Sequence, residues 1–114
     1  MKPLSPTFYI AGVKYSDAHR ITHAPPGTVV EVTHQPDNKF DAFALVCSIL
    51  GIRVGHIPRT EQAAWFYHIF HNVNVVCRVV EWDTTKPPFE QIKVVFECDD
   101  KYMTQVVKQG VFAP

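Results

Sequence analysis

Residues 28–57 read TVVEVTHQPDNKFDAFALVCSILGIRVGHI, and this stretch decides the fold. From Thr28 to His34 the residues alternate. Val30 and Val32 fall on one face and Glu31 and Thr33 on the other, as in a half-buried strand. Gln35-Pro36-Asp37-Asn38-Lys39 is turn chemistry, because proline presets its backbone angle and Asp and Asn side chains bond to nearby backbone. Ala42 to Ile49 is a nearly continuous apolar run, which predicts a buried strand. Gly51 permits a tight turn, and Ile52 to Ile57 makes a further strand.

The same reading extends outward on both sides. Pro3 and Pro6 keep the first residues extended. Phe8 to Tyr15 is rich in β-branched and aromatic residues and predicts a strand, with Gly12 marking a bulge or a close backbone approach. Residues 16–27 form a loop that ends in the breaker Pro25-Pro26-Gly27. After Ile57, Pro58-Arg59-Thr60-Glu61-Gln62 starts a helix. Thr60 is placed to cap it and Glu61 to face the positive end of its dipole. Ala63, Phe66, Tyr67 and Phe70 continue it at helical spacing, and Asn72 ends it. Val73 to Trp82 and Gln91 to Cys98 are two more strands, linked by a polar, proline-bearing loop over 83–88. On the last strand Ile92, Val94, Phe96 and Cys98 share a face. Tyr102, Val106 and Gln109 allow a short helix in the tail. Six short strands with tight links and one or two helices predict a mainly β (α+β) domain, a small barrel or half-barrel that carries the helix.

Composition narrows the function. A chain of 114 residues supports one core, and 46% hydrophobic against 19% charged residues excludes disorder as the default. Eleven Lys and Arg balance eleven Asp and Glu, so a strongly basic nucleic-acid coat is excluded and a local basic patch is not. Cys47, Cys77 and Cys98 form no CxxC pair and lie in apolar runs, which predicts reduced, buried thiols. No stretch is apolar for the roughly 18 residues that a membrane span needs. Met1 to Pro6 lacks the apolar core of a signal peptide, so an intracellular, soluble protein is expected, cytoplasmic or associated with the nucleoid.

Catalysis finds little support. His68 and His71 lie three apart on the predicted helix and His19 and His23 four apart in a loop, but no further ligand completes either pair at metal spacing. There is no GxSxG elbow, no phosphate-cradling glycine loop and no cluster of carboxylates. No cofactor, no metal and no enzymatic activity are expected. Three segments stand out instead: Ala11-Gly12-Val13-Lys14-Tyr15, Gln35 to Val46, and Val54-Gly55-His56-Ile57-Pro58-Arg59. Each puts an aromatic ring, a cation or an acid at a strand end or turn. Cations and exposed aromatic planes are what single-stranded nucleic acid binds. On the residues alone each ring reads more readily as core filler, and the Asn38 and Asp41 side chains also read as turn formers bonded to their own backbone.

In order and spacing these segments resemble the HIRAN domain family, the module at the N-terminus of helicase-like transcription factor and related repair translocases. The likeness rests on Ala11-Gly12, Pro36-Asp37-Asn38-Lys39-Phe40-Asp41-Ala42-Phe43-Ala44-Leu45 and Val54-Gly55-His56-Ile57-Pro58-Arg59, and covers about residues 7–98. It implies an OB-like six-stranded β-barrel flanked by one or two α-helices. It also implies a non-catalytic module for single-stranded DNA with a free 3′ hydroxyl end. By position, Lys14 would face a phosphate and Tyr15 would stack on a base. Asn38, Phe40 and Asp41 would hold the terminal nucleotide, with Phe40 stacking and Asp41 accepting from the 3′ hydroxyl. His56 and Arg59 would contact the terminal phosphate, and Trp82 would add a stacking ring.

This sequence departs from the family pattern at several positions. Lys14 stands where an arginine is familiar and cannot bind phosphate bidentately. Phe40 stands for a tyrosine and has no hydroxyl to donate. Asp37 adds an acid beside the turn, and Phe43 replaces the more usual asparagine. Helicase motifs are missing, as in a stand-alone member or a piece excised from a larger protein. The alternative reading is an interaction module that recruits a helicase or nuclease without binding DNA itself. Lys39 and Lys86 complete the set of candidate phosphate cations, and Tyr15, Phe40 and Trp82 are expected to be exposed together on one face.

Overall fold

The apolar alternation read in the sequence becomes one antiparallel sheet. The computed structural model describes residues 2–62, 75–99 and 101–102. Among them seven strands pair: β1 (Lys2–Pro3), β2 (Phe8–Tyr9), β3 (Val29–His34), β4 (Leu45–Ile49), β5 (Ile52–His56), β6 (Val76–Trp82) and β7 (Ile92–Cys98). Their order is β1-β7-β6-β3-β4-β5, and β2 also pairs with β7. Strand β3 is the corner. Its residues Val29 and Val30 lie opposite Arg78 and Cys77 of β6, whereas Glu31 to His34 lie opposite Ser48 to Leu45 of β4. A strand that changes partner along its length lets a sheet fold over on itself, so one apolar interior is enclosed by a single sheet.

The interior follows the alternation. Leu45, Cys47 and Ile49 of β4 are buried, as are Cys77 and Val79 of β6 and Ile92, Val94, Phe96 and Cys98 of β7. Leu4 and Ile10 from the N-terminal segment close the cluster with Val54 and Ile57. All three cysteines are buried thiols outside any disulfide, and burial pushes the Cys77 thiol up to about 12. Such thiols are poor nucleophiles because the reactive thiolate is scarce. The extended start becomes the edge strand β1, with Lys2 opposite Cys98 and Pro3 opposite Glu97. Proline is tolerated there because an edge position need not donate to a ladder.

Three expectations change. The sheet has seven strands and is not closed into the expected OB-like six-stranded barrel. Its β5 edge and the segment after β2 meet at an isolated bridge, in which the Ala11 N–H donates to the His56 carbonyl and the His56 N–H to the Ala11 carbonyl, both at 2.9 Å, and again where the Asp17 N–H donates to the Arg53 carbonyl at 3.0 Å. The strand expected over 8–15 ends at Tyr9. Gly12 adopts φ 71° and the chain tightens into a 3-10 turn over Val13–Tyr15, so no ladder continues past Ala11. Lys14 and Tyr15 therefore sit on a turn and not on a strand. The strand expected over 42–49 begins at Leu45, as β4, because Ala42 and Phe43 belong to the preceding turn and are exposed. Residues 59–62 are helical, as expected. The rest of that helix with His68 and His71, the start of the strand at 73 and 74, and the tail from 103 lie outside the described residues. No helix among the described residues is long and apolar enough to cross a membrane.

Gly55 makes the bridge possible. It sits at φ 143°, and a Cβ there would fall 2.3 Å from the Ala11 carbonyl oxygen and 2.5 Å from the Ile10 side chain. Gly51, in the β4–β5 hairpin, also has positive φ (79°) but open space around it. Gly55→Ala is expected to destabilise the domain by about 3 kcal/mol, combining backbone strain with overpacking. Gly51→Ala should cost about 1 kcal/mol from strain alone. Urea denaturation of the two variants checks the difference; equal losses would mean that the close approach at Ala11 does not constrain the fold.

Candidate functional site

Between β3 and β4 the chain folds on its own side chains. The Asn38 Oδ1 accepts from the backbone N–H groups of Phe40 (2.9 Å) and Asp41 (3.0 Å), while its Nδ2 donates to the Gln35 Oε1 at 3.1 Å. The Asp41 Oδ1 accepts from the Phe43 N–H at 2.9 Å. The Gln35 N–H donates to the Ala44 carbonyl at 2.9 Å and ties the base of the loop. Short amide and carboxylate side chains substitute here for backbone partners, which is why Asn and Asp occupy these positions. With its polar groups engaged internally, Asn38 is a framework residue. The outcome of that framework is a ring held outward: Phe40 is 89% exposed, and Phe43 60%.

Beside Phe40 lies a cleft of about 240 Å³. Asn38, Phe40, Asp41, His56 and Arg59 all line it, so five of the eight predicted residues come together. Arg59 reaches across: its Nη2 donates to the Phe40 carbonyl at 3.1 Å, and its Nε lies 3.5 Å from the Asp41 Oδ2. Two lining residues were missed by the sequence reading, Arg53 and Gln62. The Gln62 Nε2 donates to the Asp41 Oδ2 at 2.7 Å. The available signal was spacing: Gln62 follows Arg59 by three at the start of a helix and so shares its face. Arg53 is the exposed residue before the buried Val54 on β5, three residues ahead of His56.

These contacts set the charge states. The Gln62 hydrogen bond and then the Phe43 N–H hold the Asp41 carboxyl below its ordinary range, and the nearby Arg59 and His56 charges act in the same direction. Asp41 is therefore ionised and acceptor-only at neutral pH. Burial lowers the His56 pKa, the Arg53 charge lowers it further, and the Asp41 carboxylate partly offsets both. At pH 7 His56 thus enters the cleft as a neutral imidazole and not as a cation.

The remaining three predicted residues lie apart from this cleft. Tyr15 is 88% exposed on its turn, with the Lys14 Nζ 5.8 Å from its ring centroid. Lys14 and Trp82 line a second cleft of about 420 Å³. Trp82 is half-buried against the core and its indole nitrogen is buried, so the ring is less available than the sequence implied. Phe89, in the loop after Trp82, is 67% exposed and was not singled out. Lys86 lies 3.9 Å from Glu81 and so carries an ionic partner already. The turn bearing Lys14 and Tyr15 is nevertheless anchored beside the main cleft. Gly12 lies against the His56 ring, where a Cβ would come within 2.7 Å of Cε1. Among the described residues no group of three or more His, Cys, Asp or Glu is placed to hold a metal ion.

The His56 environment yields a sign-definite expectation. In a proton NMR titration His56 should titrate below 6.5. Asp41→Asn should lower it further and Arg53→Gln should raise it. A folded-state value below the unfolded one means that His56 withdraws stability as pH falls below about 6.5. A His56 that titrates at or above the ordinary value would contradict this electrostatic arrangement.

No protein-family model matches the chain, and no curated protein matches it by sequence. Two solved structures are similar. One is a Lactobacillus plantarum protein determined by a structural genomics consortium, at 18% identity and a TM-score of 0.67, covering 81% of this chain and 89% of that one. The other is the HIRAN domain of human HLTF, at 15% identity and a TM-score of 0.60, covering 91% of this chain and 84% of that one. The chain has the fold of a HIRAN domain, as its three segments implied.

Proposed function

We propose that this domain binds single-stranded DNA at a free 3′ hydroxyl end and catalyses no reaction on it. The observation that carries the reading is the cleft itself: an exposed ring, Phe40, stands at a recess that holds an ionised carboxylate, an imidazole and a guanidinium. A base stacked on Phe40 would bring its sugar and phosphate over Asp41, His56 and Arg59. Base stacking on an aromatic side chain contributes about 1–3 kcal/mol. An ionised carboxylate offers about four lone-pair sites. Three are engaged by Phe43, Gln62 and Arg59, leaving one for a hydroxyl donor. A hydroxyl can donate to it and a terminal phosphate is repelled. The likeness to the HIRAN fold supports the same reading, and a role on DNA implies an intracellular setting.

Asn38, Asp41, Arg59 and Gln62 are committed to one another and to the loop, an arrangement suited to holding a ligand. They form no nucleophile–base pair of the kind that acyl or phosphoryl transfer needs. A recruitment surface for a helicase or nuclease is the second reading. It is favoured by Phe43 and by Leu50, which is 87% exposed at the β4–β5 hairpin tip, since a strand end in the cleft gives neither residue a role.

Fluorescence anisotropy with short single strands that differ only in a 3′ hydroxyl or a 3′ phosphate tests the proposal. The hydroxyl end should bind about fivefold or more tightly, the worth of one charge repulsion near a surface. Asp41→Asn should shrink that ratio. Equal binding of both ends would overturn end recognition, and no binding of either would leave the recruitment reading.

A further inference from the structure

The cations of the cleft are not the ones the sequence singled out. Lys14 lines a different cleft and Lys86 has Glu81, so of the four candidates Arg59 is the one that lines this recess. Beside it stands Arg53, which no motif marked. Its side chain is exposed on β5, across the ladder from Ser48, and it lines the same recess as His56 and Arg59. Among the described residues it has no carboxylate or hydrogen-bond partner for its guanidinium. Asp41 is the single acid of the recess and is already taken up by Arg59, Gln62 and the Phe43 N–H.

We infer that Arg53 is a further phosphate-binding residue of this cleft, which holds a phosphate of the bound strand other than the one Arg59 contacts. Two guanidinium groups and one carboxylate leave the recess with an uncompensated positive charge in the free protein. Like charges gathered around a concave surface raise the local potential and attract an anion. The Arg53 charge also disfavours the protonated form of the His56 imidazole in the same recess, more than the Arg59 charge does. An arginine also presents a planar fork that matches phosphate geometry, which a lysine lacks. The bidentate contact missing at Lys14 is thus available at Arg53.

This inference rests on the proposed strand binding. The test is a salt titration of an oligothymidylate of about ten nucleotides with a 3′ hydroxyl, read by anisotropy for the wild type, Arg53→Gln and Arg53→Lys. Arg53→Gln should weaken binding about tenfold, the loss of one charge-assisted contact. It should also lower the slope of log affinity against log salt by about 0.7. Arg53→Lys should keep the slope and recover part of the affinity. The ratio between hydroxyl and phosphate ends should stay unchanged in both variants, since Asp41 is untouched. Binding by the wild type with the same affinity and slope in Arg53→Gln would overturn the role of Arg53 alone. Absence of wild-type binding would overturn this inference together with the strand-binding reading beneath it.

Discussion

Two backbone hydrogen bonds between Ala11 and His56 hold this domain in its working shape. They join the β5 edge to the N-terminal segment, and the Asp17 N–H adds a further bond to the Arg53 carbonyl at 3.0 Å. The bond pair forms because Gly55 has no Cβ to push the Ala11 carbonyl away. One consequence is structural: Ile10 is drawn into the core beside Val54 and Ile57. The other is functional. The same bridge fixes the His56 ring against Gly12, so the turn with Lys14 and Tyr15 is held beside the recess that contains Arg53, Asp41 and Arg59. A sheet left open elsewhere is thus pinned beside the candidate site.

The second constraint is the hydrogen-bonded turn. Asn38 and Asp41 are spent largely on shaping the loop, and that is what makes them useful. With those side chains locked, Phe40 has no choice but to face solvent, and Asp41 stays charged with its direction set by Phe43 and Gln62. The structural role of these two residues and the binding role proposed for Asp41 are therefore compatible. Preorganisation of this kind lowers the ordering cost that a ligand would otherwise meet.

Much of this was legible from residues alone. The alternation of Val30 and Val32, the buried face of Ile92, Val94, Phe96 and Cys98, and the turn at Gln35 to Lys39 all rest on local patterns, and local patterns survive folding. The first strand misled because Phe8 to Tyr15 has strand composition throughout, while Gly12 at positive φ ends the pairing; composition does not reveal the sign of φ. The number and closure of strands were not legible either. They depend on β3 changing partners after Val30, a long-range choice with no local mark. Within the site, the turn residues and the His56–Arg59 pair follow from the motifs, whereas Arg53 and Gln62 belong to none, and Gln62 has only its spacing from Arg59 as a signal. Each is an ordinary surface residue type that acquires meaning only through what stands across the cleft. Trp82 shows the converse, an attractive ring in sequence that the core half absorbs.

The most direct test of this account is to map where a strand end lands. Backbone amide shifts of the nitrogen-labelled domain, followed during titration with a short single strand bearing a 3′ hydroxyl, report every contacted segment at once. The account predicts the largest shifts over residues 38–44 and 53–59, with smaller ones at 12–15 and little change around Trp82. Shifts centred on the Lys14–Trp82 cleft, or none in the turn that carries Phe40 and Asp41, would contradict it.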